Sequence, residues 1–152
     1  MSGRGTPRSE APLTGRCHCG NLELSLETSV RPEELSLRAC TCSFCRRHGA
    51  RTTSDPSGRV VITVHHAEQL LRYRFGLGTA DFLVCTRCGV YVAAVMTEGS
   101  SAYATVNVNA LDAVDRLTQP ATPVTYEGES AAQRTARRRA RWTPAVIVGE
   151  RR

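Results

Sequence analysis

The sequence predicts a mainly β fold of antiparallel sheets that ends in a short helix. Three observations predict it. Short stretches of alternating or β-branched residues recur along most of the chain. Turn residues separate them at close intervals. All seven cysteines fall into three clusters, with none outside them. A chain that used cysteine only for packing would scatter it.

The elements follow in order. Residues 1–12 contain Gly, Pro, Ser and Arg and little that packs, and are expected to be a disordered tail. Residues 13–152 are expected to form a single domain. Leu22, Leu24 and Leu26 alternate with Glu23, Ser25 and Glu27, the pattern of a half-buried strand. Leu35 to Ala39 reads as a strand delivering Cys40. Asp55-Pro56-Ser57-Gly58 is a turn, and the β-branched run Arg59 to Val64 follows it as a strand. Leu70 to Phe75 is another strand. Asp81 to Cys85 and Val90 to Met96 flank the last cysteine pair like the arms of a hairpin. Ala102 to Val108 completes a set of about seven strands, as expected of an antiparallel β core.

The C-terminus changes period. Ser130 and Gln133 form a capping box, which predicts a helix near 131–141, stopped by Pro144. Arg134, Arg137, Arg138 and Arg141 share one face of it by helical spacing. That face reads first as solvated, with an anion-binding or nucleic-acid surface as the alternative.

Composition limits the function. No apolar run approaches the roughly 20 residues that span a bilayer. The N-terminus lacks the apolar segment of a secretory signal. Clustered cysteines in odd number favour metal over disulfides, and so a reducing, cytoplasmic setting. The formal charge is +6, carried entirely by arginine without lysine. Seven thiolates and two divalent ions would lower it. Basic charge alone is too unspecific to indicate nucleic acid.

The clusters carry the chemistry. Cys85-Thr86-Arg87-Cys88 has the spacing that turns two sulfurs onto one ion, and Gly89 lets the backbone fold back beneath them. Cys17-His18-Cys19, followed by Gly20, offers a second pair. Together Cys17, Cys19, Cys85 and Cys88 would close one structural zinc site and staple an N-terminal strand to the late hairpin. Buried free thiols or a redox Cys-x-x-Cys are the competing readings. Cys40, Cys42 and Cys45 would give a second zinc three sulfurs. Three protein ligands plus one exchangeable position is the pattern of a catalytic zinc. Alternatively a histidine closes that site, with His48 first and His18, His65 and His66 behind it. Arg46, Arg47 and Arg51 follow closely in sequence and are candidates to hold a substrate carboxylate.

Gly15-Arg16-Cys17-His18-Cys19-Gly20, Cys40-Thr41-Cys42-Ser43-Phe44-Cys45-Arg46-Arg47 and Cys85-Thr86-Arg87-Cys88-Gly89 stand in the order of a known family. Together with Val106 to Asp112, they resemble the glutathione-dependent formaldehyde-activating enzymes (GFA), a family that includes the domain of centromere protein V. The resemblance implies a zinc β-tent fold with two zinc ions per chain. It implies that Cys17, Cys19, Cys85 and Cys88 are structural ligands, and that Cys40, Cys42 and Cys45 hold the second ion. It also implies a carbon–sulfur lyase or synthase activity, joining formaldehyde to glutathione as S-(hydroxymethyl)glutathione. The other classes in play are a non-enzymatic zinc-binding interaction module and a glutathione carrier.

Overall fold

The computed structural model describes residues 11–150. The expected tail at 1–12 therefore lies almost wholly outside the described residues. The first sheet is built by β1 (Leu13–Arg16), β2 (Leu22–Glu27) and β5 (Arg59–Val64). Their alternation is what buries them: Leu22, Leu24 and Leu26 of β2 face Val60, Ile62 and Val64 of β5 on the inner side. The second sheet holds β3 (Leu37–Cys40), β4 (Thr52–Thr53), β6 (Leu70–Tyr73), β7 (Asp81–Cys85), β8 (Tyr91–Glu98), β9 (Ser101–Asn107) and β10 (Ala121–Val124). β6, β7, β8 and β9 run antiparallel to one another as a meander. Leu83, Val92, Val95 and Val106 from this sheet join the leucines of the first in one core.

One strand joins the sheets. β11 (Thr143–Val148) pairs with β9 through Thr143 and Pro144, then with β5 through Ala145 to Val148. The sequence reading stopped the helix at Pro144 and assigned no element after it. Pro144 does end the helix, but a proline at the start of a strand costs little, and β-branched residues carry the strand on. The fold is mainly β as expected, yet two pairs are parallel: β5 with β11 and β3 with β10. Parallel neighbours need long crossovers, and the connections from β5 to β11 and from β3 to β10 run through most of the second sheet.

Two helices complete the fold. α2 (Ala131–Arg141) has its capping box intact, with Ser130 Oγ accepting from Gln133 N at 3.1 Å and Gln133 Oε1 accepting from Ser130 N at 2.8 Å. α1 (Ser43–His48) was not foreseen. Cys42 caps it, its sulfur accepting from Cys45 N at 3.4 Å. Gly49 ends it in the left-handed region at φ 59°, where a residue with a Cβ would be strained. Gly15 matters for another reason: a Cβ there would meet Ala110 O at 2.3 Å, so only glycine lets β1 lie against the segment after β9.

Candidate functional site

Cys17 and Cys19 lie in the turn between β1 and β2, which Gly20 N closes on Cys17 O at 3.2 Å. Cys85 ends β7, and Cys88 lies in the turn to β8, closed by Gly89 N on Cys85 O at 2.7 Å. The two turns bring four sulfurs within 4.8 Å of one another. Cys17 and Cys19 sulfurs are 3.8 Å apart, and Cys19 and Cys85 sulfurs 3.6 Å. Those are not disulfide distances. They match the edge of a tetrahedron of sulfurs about 2.3 Å from a zinc ion, roughly 3.8 Å. The set could hold a metal ion. Asn21 fixes the surroundings, accepting from His66 N at 2.6 Å and lying 3.9 Å from Cys85 Sγ. Burial pushes the Cys17 thiol up to about 11. Burial also opposes ionisation of Cys88, but the Cys19 and Val90 amides and the neighbouring sulfurs bring it down to about 6.

Cys40 ends β3, Cys42 caps α1, and Cys45 lies in its first turn. Their three sulfurs also lie within 4.8 Å of one another and could hold a second ion. The hydrogen bond from Cys45 outweighs burial and brings the Cys40 thiol down to about 5, while the same contact and burial push Cys45 up. Among the described residues no histidine joins this trio. His48 is exposed and packs its ring 4.5 Å from Phe44. His65 pairs with Glu23 at 2.8 Å, His66 lies 3.8 Å from Glu68, and His18 is exposed.

The trio opens into a cavity of about 400 Å³, the scale of a small-molecule site. Phe75, Phe82, Ala94 and Trp142 form apolar wall. Tyr91 lines it too, packed with Cys45 and only 1% exposed, and its hydroxyl has no hydrogen-bond partner among the described residues. Burial and then the adjacent thiols hold that hydroxyl well above the usual phenol range, so it stays protonated.

The sequence profile of the family described as glutathione-dependent formaldehyde-activating enzyme matches residues 12–127, which include all seven cysteines. The chain belongs to this family. It is also similar to a Rhodobacter sphaeroides protein of known crystal structure, at 35% identity, covering 73% of this chain and 98% of that one, with a TM-score of 0.52.

The arginines of this GFA-family chain stand elsewhere than the sequence suggested. Arg46 and Arg47 are exposed and do not line the cavity. Arg51 does not line it either; it donates to Leu117 O at 2.9 Å and Asn109 Oδ1 at 3.3 Å. The cavity's arginines are Arg38 from β3 and Arg134, Arg137 and Arg138 from α2. The solvated-face reading of α2 is thereby corrected for three of its four residues: Arg138 is 6% exposed and Arg134 and Arg137 are half-buried, while Arg141 is exposed. Helical spacing had grouped these residues, but nothing local in the sequence showed which way they look. Tyr91 was missed because it read only as part of a hairpin arm.

Proposed function

We propose that the chain is a zinc-dependent carbon–sulfur lyase or synthase acting on a thiol–aldehyde adduct, in the manner of S-(hydroxymethyl)glutathione synthase. The observation that carries this is the trio of Cys40, Cys42 and Cys45 at a cavity, with no fourth protein ligand among the described residues. The contrasting foursome of Cys17, Cys19, Cys85 and Cys88 suits a closed structural zinc. Soft thiolate sets of three and four fit zinc in both places. Zinc held by the trio would supply Lewis acidity and lower the pKa of a thiol or oxygen ligand.

The chain's own residues do the rest. Cys40 and Cys42 are half-exposed toward the cavity, so a small thiol can approach them. Phe75, Phe82 and Trp142 keep bulk water from the reacting carbon. Tyr91 brings a protonated hydroxyl that can donate to the adduct oxygen. In the forward direction a carbon–sulfur bond forms, the carbonyl π bond breaks, and the thiol proton ends on oxygen. The reverse returns thiol and aldehyde. The partners are a small thiol such as glutathione and an aldehyde, and the setting is cytoplasmic, where seven thiols stay reduced. No described helix is long and apolar enough to cross a membrane.

The test is exchange NMR of ¹³C-formaldehyde with glutathione. The protein should speed exchange between formaldehyde hydrate and S-hydroxymethylglutathione, and Cys42→Ser should lose that acceleration. Binding of glutathione without acceleration would instead identify a carrier.

A further inference from the structure

Among the described residues, five buried side-chain polar atoms lack a hydrogen-bond partner: Gln69 Oε1, Gln119 Oε1, Tyr91 Oη, Arg134 Nε and Arg138 Nε. The last three can donate, and all three of their residues line the cavity beside the cysteine trio. A buried donor without an acceptor costs about 1–3 kcal/mol, and more when charged. Three such donors around one cavity mark a place for a ligand rich in acceptors.

The charge around them gives that ligand its sign. Arg38 donates to two neutral hydroxyls, Ser54 Oγ and, at 3.4 Å, Thr105 Oγ1. Arg138 donates to Thr79 O at 3.1 Å and Thr79 Oγ1 at 2.8 Å, and Arg134 to Tyr126 O at 3.1 Å. These acceptors are all uncharged. Among the described residues and the cavity's four arginines, only Arg137 is salt-bridged, with Glu129 at 3.0 Å, while its guanidinium lies 3.5 Å over the Tyr126 ring. Arg138 lies 5.0 Å over the Trp142 ring, and the Glu129 charge also reaches Arg134 and Arg138. Glu127 is exposed and is the carboxylate of the cavity lining. Burial first, then Arg137 and Arg134, depress the Arg138 guanidinium to about 10, and burial lowers Arg38 as well. Three thiolates around a divalent ion carry one net negative charge, fewer than the arginines supply.

We propose that β3 and α2 build a carboxylate subsite, in which Arg38, Arg134 and Arg138 hold the carboxylate of an anionic thiol while its sulfur faces the cysteine trio. This rests on the reading of the trio as an open thiol site. Guanidinium edges are flat forks that match a carboxylate. The family profile ends at residue 127, so Arg38 lies within the family match and α2 adds its two arginines from a segment beyond it.

The test is calorimetry on the metal-loaded protein with S-methylglutathione, which keeps both carboxylates and has no thiol to offer a metal. Its diethyl ester is the control. The acid should bind at least about tenfold more tightly than the ester, the scale of one charge-assisted hydrogen bond. Arg134→Met and Arg138→Met should each erase most of that difference and leave the ester's affinity alone. Because Arg138 also tethers Thr79, the decisive variant is that of Arg134, which has one carbonyl contact. Equal affinity for acid and ester, no binding of the acid, or an unchanged ratio in folded Arg134→Met would overturn the subsite. Displacement by inorganic phosphate at equal affinity would overturn the choice of carboxylate. None of these outcomes bears on whether the trio accepts a thiol, which a cobalt titration reads separately.

Discussion

The two cysteine sets use the same ligand atom and differ in what surrounds it. Cys17, Cys19, Cys85 and Cys88 are gathered by two tight turns, one from each sheet, and Cys17 and Cys85 are fully buried. Cys40, Cys42 and Cys45 come from one strand end and one short helix, and open into a cavity. The foursome joins segments 66 residues apart between Cys19 and Cys85. The trio spans a single stretch and staples nothing distant. On the proposed reading, ligand number and sequence reach, rather than ligand type, separate a site that holds the fold from one that serves a ligand.

The largest effect expected from breaking this contrast is that of Cys85→Ser. A lost structural ligand removes metal-binding free energy that is also folding free energy. Thermal melting should fall by more than about 10 °C, or cooperative unfolding should disappear. A native melting curve would place the foursome with the trio. Cys42→Ser should do the opposite. Serine is itself a good helix cap, so α1 keeps its start and the melting temperature should move by less than about 3 °C. The second ion and all thiol-dependent chemistry should be lost, as metal analysis and exchange NMR would read.

Tyr91→Phe sharpens the comparison within the trio's own surroundings. Removing a buried hydroxyl that has no partner among the described residues should leave the ligand-free protein as stable or more stable, by about 1 kcal/mol. Turnover should fall by about 10- to 100-fold if that hydroxyl donates to the adduct oxygen. A variant that loses stability and keeps full activity would assign Tyr91 to packing alone. His48→Ala should have the smallest effect. If the trio lacks a histidine ligand, the metal spectrum and metal affinity stay as in the parent, apart from a lost ring contact with Phe44.

The grouping of the cysteines into four and three was legible in the sequence, because cysteine spacing is a local signal. Cys85-x-x-Cys88 followed by Gly89 specifies a turn wherever it occurs, and the Leu22, Leu24, Leu26 alternation specifies a strand face. The surroundings of the trio were not local. Arg46 and Arg47 adjoin Cys45 in sequence, but α1 turns each successive residue by about 100°. With Cys42 and Cys45 facing the cavity, the next two residues rotate outward. The arginine face of α2 was seen but not its direction. That direction is set after the helix, where Trp142 and Thr143 are buried and β11 enters between β5 and β9. The sequence reading stopped the helix at Pro144 and assigned nothing beyond it, so the strand that follows the arginine face went unseen.

The measurement that bears most directly on the open position is a glutathione titration of the cobalt-substituted protein. Cobalt reports its ligand number through its visible spectrum. A change that saturates, needs Cys42 and leaves the signal of the foursome untouched is expected if the trio offers an exchangeable position. No spectral change, with two ions bound per chain, would contradict an open thiol-accepting site at Cys40, Cys42 and Cys45.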